Sequence, residues 1–194
     1  MTVGVSKSEE IKRSAIRLIA DRGYDAMSLR QLAGAVGLQA GSLYVHYRSK
    51  DDLLSEIVAE HIEELLLLWQ TRKARATDPV ELINLYVRTF IEHHVAHPHE
   101  SLIARLEWRR LPTPQRAAVD DQYDSYREDL EAVIHDGVRR SLFAADDIPL
   151  LSKGILAMLS GLCEQQCFSR LLDINELQRR AVQMVYRLIV VGGN

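Results

Sequence analysis

Cysteine is nearly absent from this chain, with two in 194 residues. Two are too few for a disulfide scaffold and point to a reducing, cytoplasmic compartment. No apolar run nears the roughly 18 residues of a membrane-spanning helix. The longest apolar cluster, Leu65 to Trp69, is far shorter, and no charged-then-apolar leader opens the sequence. Neither a membrane span nor a signal peptide is therefore expected. Glycine-rich phosphate loops and the G-x-S-x-G elbow are missing as well, which removes the local signals of nucleotide and serine-hydrolase chemistry. We expect no catalytic residue, no cofactor and no enzyme activity. Repeats, low-complexity stretches and strand-like alternation are also lacking. Five prolines and ten glycines beside many Leu, Ala, Arg and Glu favour an all-α fold.

What is present is globular: 47% hydrophobic and 26% charged residues. The net charge of −3 would not suggest nucleic acid, but its distribution does. Residues 1–50 carry 8 Lys/Arg against 4 Asp/Glu, a balance of +4, and the remainder carries −7. A small basic head on an acidic body is the asymmetry expected when one end meets phosphate.

The chain is organised around residues 28–54. Ser28 with Gln31 has the spacing of a capping box, and Leu29, Leu32, Ala33 and Val36 follow at helical period. Gly37 can take a positive φ without a Cβ penalty, so it ends that helix and turns the chain. A second short helix, about Gln39 to Tyr47, has Leu43 and Tyr47 on its inner face. Its outer face offers Gln39, Ala40, Ser42, Tyr44 and His46, and holds no carboxylate. Gly41 inside that helix costs about 1 kcal/mol relative to alanine, a cost that close approach to a partner would offset. Two helices joined by a short Gly-containing turn match the DNA-binding helix-turn-helix, although an ordinary helical hairpin has the same spacing.

The residues Ser28-Leu29-Arg30-Gln31-Leu32-Ala33, Val36-Gly37-Leu38, Ala40-Gly41-Ser42-Leu43-Tyr44-Val45-His46-Tyr47 and Ser49-Lys50-Asp51-Asp52-Leu53-Leu54 form a longer pattern. It resembles the N-terminal domain of the TetR family of bacterial transcriptional regulators, over roughly residues 8–60. The resemblance implies a three-helix DNA-binding domain over residues 1–50 and an effector-binding and dimerisation bundle over 51–194, about nine helices in all. Arg30 and Gln39 are then the candidates for base edges, because Arg pairs guanine and Gln pairs adenine. Ala40 and Gly41 permit contact with thymine methyls, and Ser28, Ser42, Tyr44, His46, Tyr47 and Lys50 hold phosphates. Lys7, Lys12 and Arg13 are either further phosphate contacts or solvated charges.

Beyond residue 50, helical period and breaks predict further helices near residues 50–75, 79–97, 100–111, 114–143, 148–171 and 175–191. The last two are apolar over wide arcs, so each is central in a core or packs on a second chain. The resemblance implies a homodimer through these two helices, for which Leu156, Leu159, Cys163, Val182, Val185 and Ile189 are the candidates. Two recognition helices on a dyad about 34–36 Å apart would read a palindromic double-stranded DNA operator.

A small-molecule effector pocket is expected among Tyr86, Phe90, Trp108, Arg109, Tyr123, Tyr126 and Met158, although each aromatic also suits a plain core. Arg105 to Pro112 and Tyr123 to Gly137 are similar to a branch of the family responding to acyl-CoA thioesters, and Arg109 and Arg110 suit phosphates. Cys163 and Cys167, four apart on one helix, read as small buried hydrophobes. His93 and His97 have a spacing that can bind zinc. They lack the intervening glutamate of the metalloprotease pattern and fall at a helix end, so no metal is expected. The function that follows is a ligand-released repressor. A regulator controlled by a protein partner, an activator, or a metal sensor on the same bundle stands as the alternative.

Overall fold

The computed structural model describes residues 6–169 and 172–190. Among them are nine α-helices and one 3-10 turn, and no strand. The helices are α1 (Lys7–Arg22), α2 (Leu29–Ala35), α3 (Ala40–His46), α4 (Lys50–Lys73), α5 (Pro79–Ala96), α6 (Pro98–Glu107), α7 (Thr113–Arg139), α8 (Ile148–Ser169) and α9 (Ile174–Val190); the 3-10 turn is Trp108–Arg110. The all-α class expected from composition is the one observed. No helix among the described residues is long and apolar enough to cross a membrane.

Two boundaries differ from expectation for local reasons. Tryptophan 108 to Arg110 tighten into the 3-10 turn instead of extending α6, with the Leu111 amide donating to Trp108 O. Helix α7 stops at Arg139 rather than Phe143. The Leu142 amide turns back to Gly137 O at 2.8 Å, and Ser141 takes φ +58°. Phe143 then lies against Gly137, where a Cβ would overlap its ring.

The chain forms two compact units. The first holds the described residues up to His61 together with His99–Asp120; the second holds Ile62–Pro98 and those from Asp121 on. Beyond residue 50 the first unit thus takes in the first part of α4, nearly all of α6, the 3-10 turn and the start of α7. Leu102, Ile103, Leu106 and Glu107 of α6 line a shallow hollow with Ile19, Ala20 and Gly23 of α1 and its C-cap. Ser101 Oγ lies 3.2 Å from His61 Nε2, and Arg110 pairs with Asp25 at 2.9 Å.

In the first unit, α1 buries Ile11, Ala15 and Ile19, α2 buries Leu29, Leu32 and Ala33, and α3 buries Leu43. Leu53, Leu54, Ile57 and Val58 of α4 complete this core. Lys12 is buried against Glu56 and Glu60. Burial alone would lower its pKa, but hydrogen bonds to Glu60 and Glu56 outweigh that and hold it well above the usual value. Lys7 donates to Val36 O at 3.0 Å and pairs with Glu10. Both lysines thus tie parts of the head together, Lys12 buried and Lys7 half-exposed; Arg13 is exposed.

The second unit is built on α5, which packs on α8 and α9. Trp69, Ile83, Tyr86, Val87, Ile91, Tyr126, Leu130 and Ile134 form its centre, closed by Leu159, Ala181, Val185 and Ile189. Asp129 accepts from Trp69 Nε1 at 2.8 Å and Gln70 Nε2 at 2.7 Å, and pairs with Lys73.

Candidate nucleic-acid interface

The helix-turn-helix is assembled from local signals. Ser28 Oγ accepts from the Gln31 amide at 3.2 Å, and Gln31 Oε1 accepts from the Ser28 amide at 2.9 Å, a complete capping box. At the other end of α2, Gly37 takes φ +67° and the Leu38 amide donates to Ala33 O at 2.8 Å. That positive φ is what permits so sharp a reversal. Gln39 then caps α3 through its backbone, with no side-chain cap bond, so its amide group is uncommitted to the helix it starts.

Helix α3 presents one buried residue, Leu43, and otherwise faces outward. Gln39, Gly41, Ser42 and His46 are exposed and Ala40 is half-buried. Tyr44 is 54% exposed and Val45 is 85% exposed. A Cβ built on Gly41 meets nothing within 4 Å, so the fold itself does not require glycine there. Arg30 on α2 is exposed, and Arg48, just past α3, is exposed too. A short helix that shows solvent an amide, a hydroxyl, a phenol, an imidazole and an isolated valine, and no carboxylate, is suited to a polyanion with base edges.

Three expected phosphate contacts are corrected by the geometry. Tyr47 is only 3% exposed, and its hydroxyl lies 3.0 Å from Ser8 Oγ and donates to Glu56 Oε1 at 3.2 Å. It pins α3 to α1 and α4 instead of facing outward. Burial first, then Glu56, raises its pKa. Lys50 Nζ is turned inward, donating to Tyr24 O at 2.7 Å and Met27 O at 3.1 Å and sitting 4.1 Å from the centre of the Tyr24 ring. Its ammonium fastens the start of α4 to the α1–α2 connection. Ser28 remains exposed, but its hydroxyl proton is directed to Gln31 Oε1 at 3.0 Å. A phosphate only accepts, so this hydroxyl would have to leave its cap to bind one.

Val45 and Arg48 are surface residues that the sequence reasoning passed over. Val45 lies two positions after the buried Leu43, about 200° around a 3.6-residue helix, and that angle alone places it outside.

Of the expected effector-pocket residues, Tyr86, Phe90 and Tyr126 pack on neighbouring rings within the second unit. Tyr86 and Tyr126 stack at 4.5 Å between ring centres, Tyr86 meets Trp69 edge-on at 4.9 Å, and Phe90 stacks on His94 at 3.9 Å. The Tyr86 hydroxyl donates to Tyr126 O at 3.0 Å. These rings fill the core of the second unit against one another. Tyr123 and Met158 are half-buried there, whereas Trp108 and Arg109 belong to the first unit, with Arg109 exposed over Trp108. Among the described residues of the second unit, the Tyr126 hydroxyl is the side-chain polar atom that is buried with no hydrogen-bond partner.

The expected dimer residues need the same correction. Leu159, Cys163, Val182, Val185 and Ile189 are buried within the second unit, and Leu156 packs partly against them. The exposed large apolar residues of α8 and α9 are instead Leu150, Met184, Leu188 and Val190. Gly154 and Ala157 are exposed beside Leu150 on α8.

An all-α chain whose capped α2, Gly37 turn and outward α3 stand on a buried scaffold is a helix-turn-helix DNA-binding protein by its architecture. Comparison with known proteins gives the family. Residues 11–57 match the model of bacterial regulatory proteins of the tetR family, and residues 76–164 match the tetracyclin repressor-like C-terminal domain. The transcriptional repressor KstR2 of Mycolicibacterium smegmatis is 30% identical over 155 residues, covering 77% of this chain and 74% of that protein. The chain belongs to the TetR family and is a DNA-binding transcriptional regulator. Among solved structures, the ketosteroid transcriptional regulator KstR2 of Mycobacterium tuberculosis matches with a TM-score of 0.86 at 21% identity, covering 95% of both chains. AibR, solved in complex with isovaleryl coenzyme A and operator DNA, matches with a TM-score of 0.80 at 22% identity over 93% of this chain and 98% of that one. At those identities the two structures speak for the fold alone.

Proposed function

We propose that the protein is a homodimeric repressor that reads a palindromic operator through α3 and leaves it when an acyl-CoA thioester binds the second unit. The observation that carries the DNA reading is the exposed, carboxylate-free face of α3. Arg30 and Gln39 read base edges, Val45 and Ala40 meet thymine methyls, and Ser42, Tyr44, His46 and Arg48 hold phosphates. The dimer forms through the outer faces of α8 and α9, with Leu150, Met184 and Leu188 as its apolar anchors.

The effector class is supported by AibR, a protein of the same fold that was solved with isovaleryl coenzyme A and operator DNA. Within this chain it is supported by the unpartnered Tyr126 hydroxyl, which a carbonyl acceptor would satisfy. The ring-on-ring packing of Tyr86, Phe90 and Tyr126 favours a second reading, a regulator controlled by a protein partner. For the effector reading, an acyl chain must part those rings, so it binds a minor state and shifts operator affinity only by its differential affinity for the two states.

The test is selection of genomic fragments on the purified protein, followed by titration of the enriched duplex with acyl-CoA thioesters of graded chain length. An enriched palindrome released by one member of the series supports the reading. An enriched palindrome that no thioester releases overturns the effector and leaves the protein-controlled reading. No enriched site from a folded dimer at low salt overturns the DNA reading itself.

A further inference from the structure

Near the end of α5 the second unit brings three metal-ligating side chains together. His93 and His97 are one helical turn apart, with ring centres 5.1 Å apart. Helix α5 ends there: His97 is its C-cap, and its amide donates to His93 O at 3.1 Å. The third residue, Glu64, is on α4. One donor atom from each of Glu64, His93 and His97 lies within 4.8 Å of the other two. No other group of this kind occurs among the described residues.

We propose that Glu64, His93 and His97 form a binding site for a divalent transition-metal ion of the zinc class. Two imidazoles and one carboxylate suit zinc, nickel or cobalt, and do not suit magnesium or calcium, which take oxygen donors. A tetrahedral zinc ion, with bonds of about 2.0–2.1 Å, needs its donors roughly 3.4 Å apart. The donors lie within 4.8 Å of one another, and Glu64 is the residue that can adjust the fit: it is exposed, so its carboxylate can swing without disturbing packing. His93 is buried and His97 is half-buried, so the imidazole side of the site is held in place by the unit. Three protein ligands leave at least one position for water or an exogenous ligand.

His94 takes no part. Its ring stacks on Phe90 at 3.9 Å, and its Nδ1 is 2.8 Å from Phe90 O. A bound ion would cross-link α4 to α5, two helices that neighbour each other in space but are separated in the chain by the break at Thr77-Asp78-Pro79. The spacing of His93 and His97 is visible in the sequence, whereas Glu64, 29 positions upstream of His93, is supplied only by the fold.

The experiment uses the full chain, stripped with chelator and titrated with zinc by calorimetry, with cobalt(II) as an optical probe. One ion per chain is expected, with cobalt d–d bands of a low-coordinate nitrogen–oxygen site and no matching response to magnesium. Glu64→Gln and His97→Gln should each weaken zinc binding at least tenfold. Both should leave the metal-free melting temperature near that of the parent, since one side chain is exposed and the other half-buried. His93→Ala is less informative because its ring is buried. Absence of stoichiometric zinc binding overturns the proposal. So does stoichiometric binding that survives both substitutions, which would place the ion on other histidines such as His99 or His135.

Discussion

At the scale of single residues, exposure separates the side chains that can meet DNA from those that hold the head together. Tyr44 and Tyr47 are three positions apart and chemically identical, yet one is open and the other is locked to Ser8 and Glu56. Tyr44→Ala should leave the fold intact and weaken binding to operator and scrambled duplex alike, by about tenfold, the scale of one hydrogen bond to a charged group. Fluorescence anisotropy on both duplexes reads this, and an unchanged affinity would remove Tyr44 from the interface. Tyr47→Phe should do the reverse, costing about 1 kcal/mol of thermal stability from the lost bonds while sparing DNA affinity. Gln39→Ala should relax the preference at one base-pair position by about 1–3 kcal/mol, since an amide reading adenine discriminates on that scale. Sequencing of selected sites checks it, and an unaltered site logo would rule the assignment out.

At the scale of elements, the parts that were legible in the sequence are those whose cause is local. The capping box of α2 and the left-handed Gly37 need only neighbours three to five residues away, so Ser28, Gln31 and Gly37 announce them. Helical period likewise marks one face of α9 as apolar, but it does not say what covers that face. Val182 and Val185 therefore passed for dimer anchors although they close the second unit's own core. Lys12 among Glu56 and Glu60, Lys50 on the Tyr24 and Met27 carbonyls, and Glu64 beside His93 all join residues 23 or more positions apart, which no spacing rule links. Gly137 was hidden for a different reason: it reads as a mid-helix glycine, but its role is to admit the ring of Phe143, six positions on and past the helix end. Gly137→Ala must push that ring aside, and overpacking of this kind costs typically about 1–3 kcal/mol. Thermal melting should show the loss, and the double variant Gly137→Ala with Phe143→Leu should recover part of it. An unaltered melting temperature in the single variant would mean that the ring moves freely.

At the scale of the whole molecule, the DNA reading requires two copies, because a seven-residue α3 spans only a few base pairs. The dimer proposal therefore stands or falls with operator affinity, and the two faces of α9 separate the causes. Leu188 is 46% exposed and Met184 is 41% exposed on the outer face, whereas Val185 is fully buried on the inner one. Replacing Leu188 and Met184 by glutamate leaves the core of the second unit untouched, so helix content and the melting of a dilute sample should hold. If the outer faces of α8 and α9 join two copies, four new carboxylates are brought to one interface, and like charges desolvated together oppose association strongly. Light scattering should then report a monomer, and affinity for a full palindrome should fall towards that for a half-site. Val185→Glu, by contrast, puts a charge into the core and should unfold the unit before it affects assembly. A Leu188→Glu, Met184→Glu protein that stays dimeric and keeps its operator affinity would move the interface to another face of the second unit, and the search would pass to the exposed Leu67 on α4.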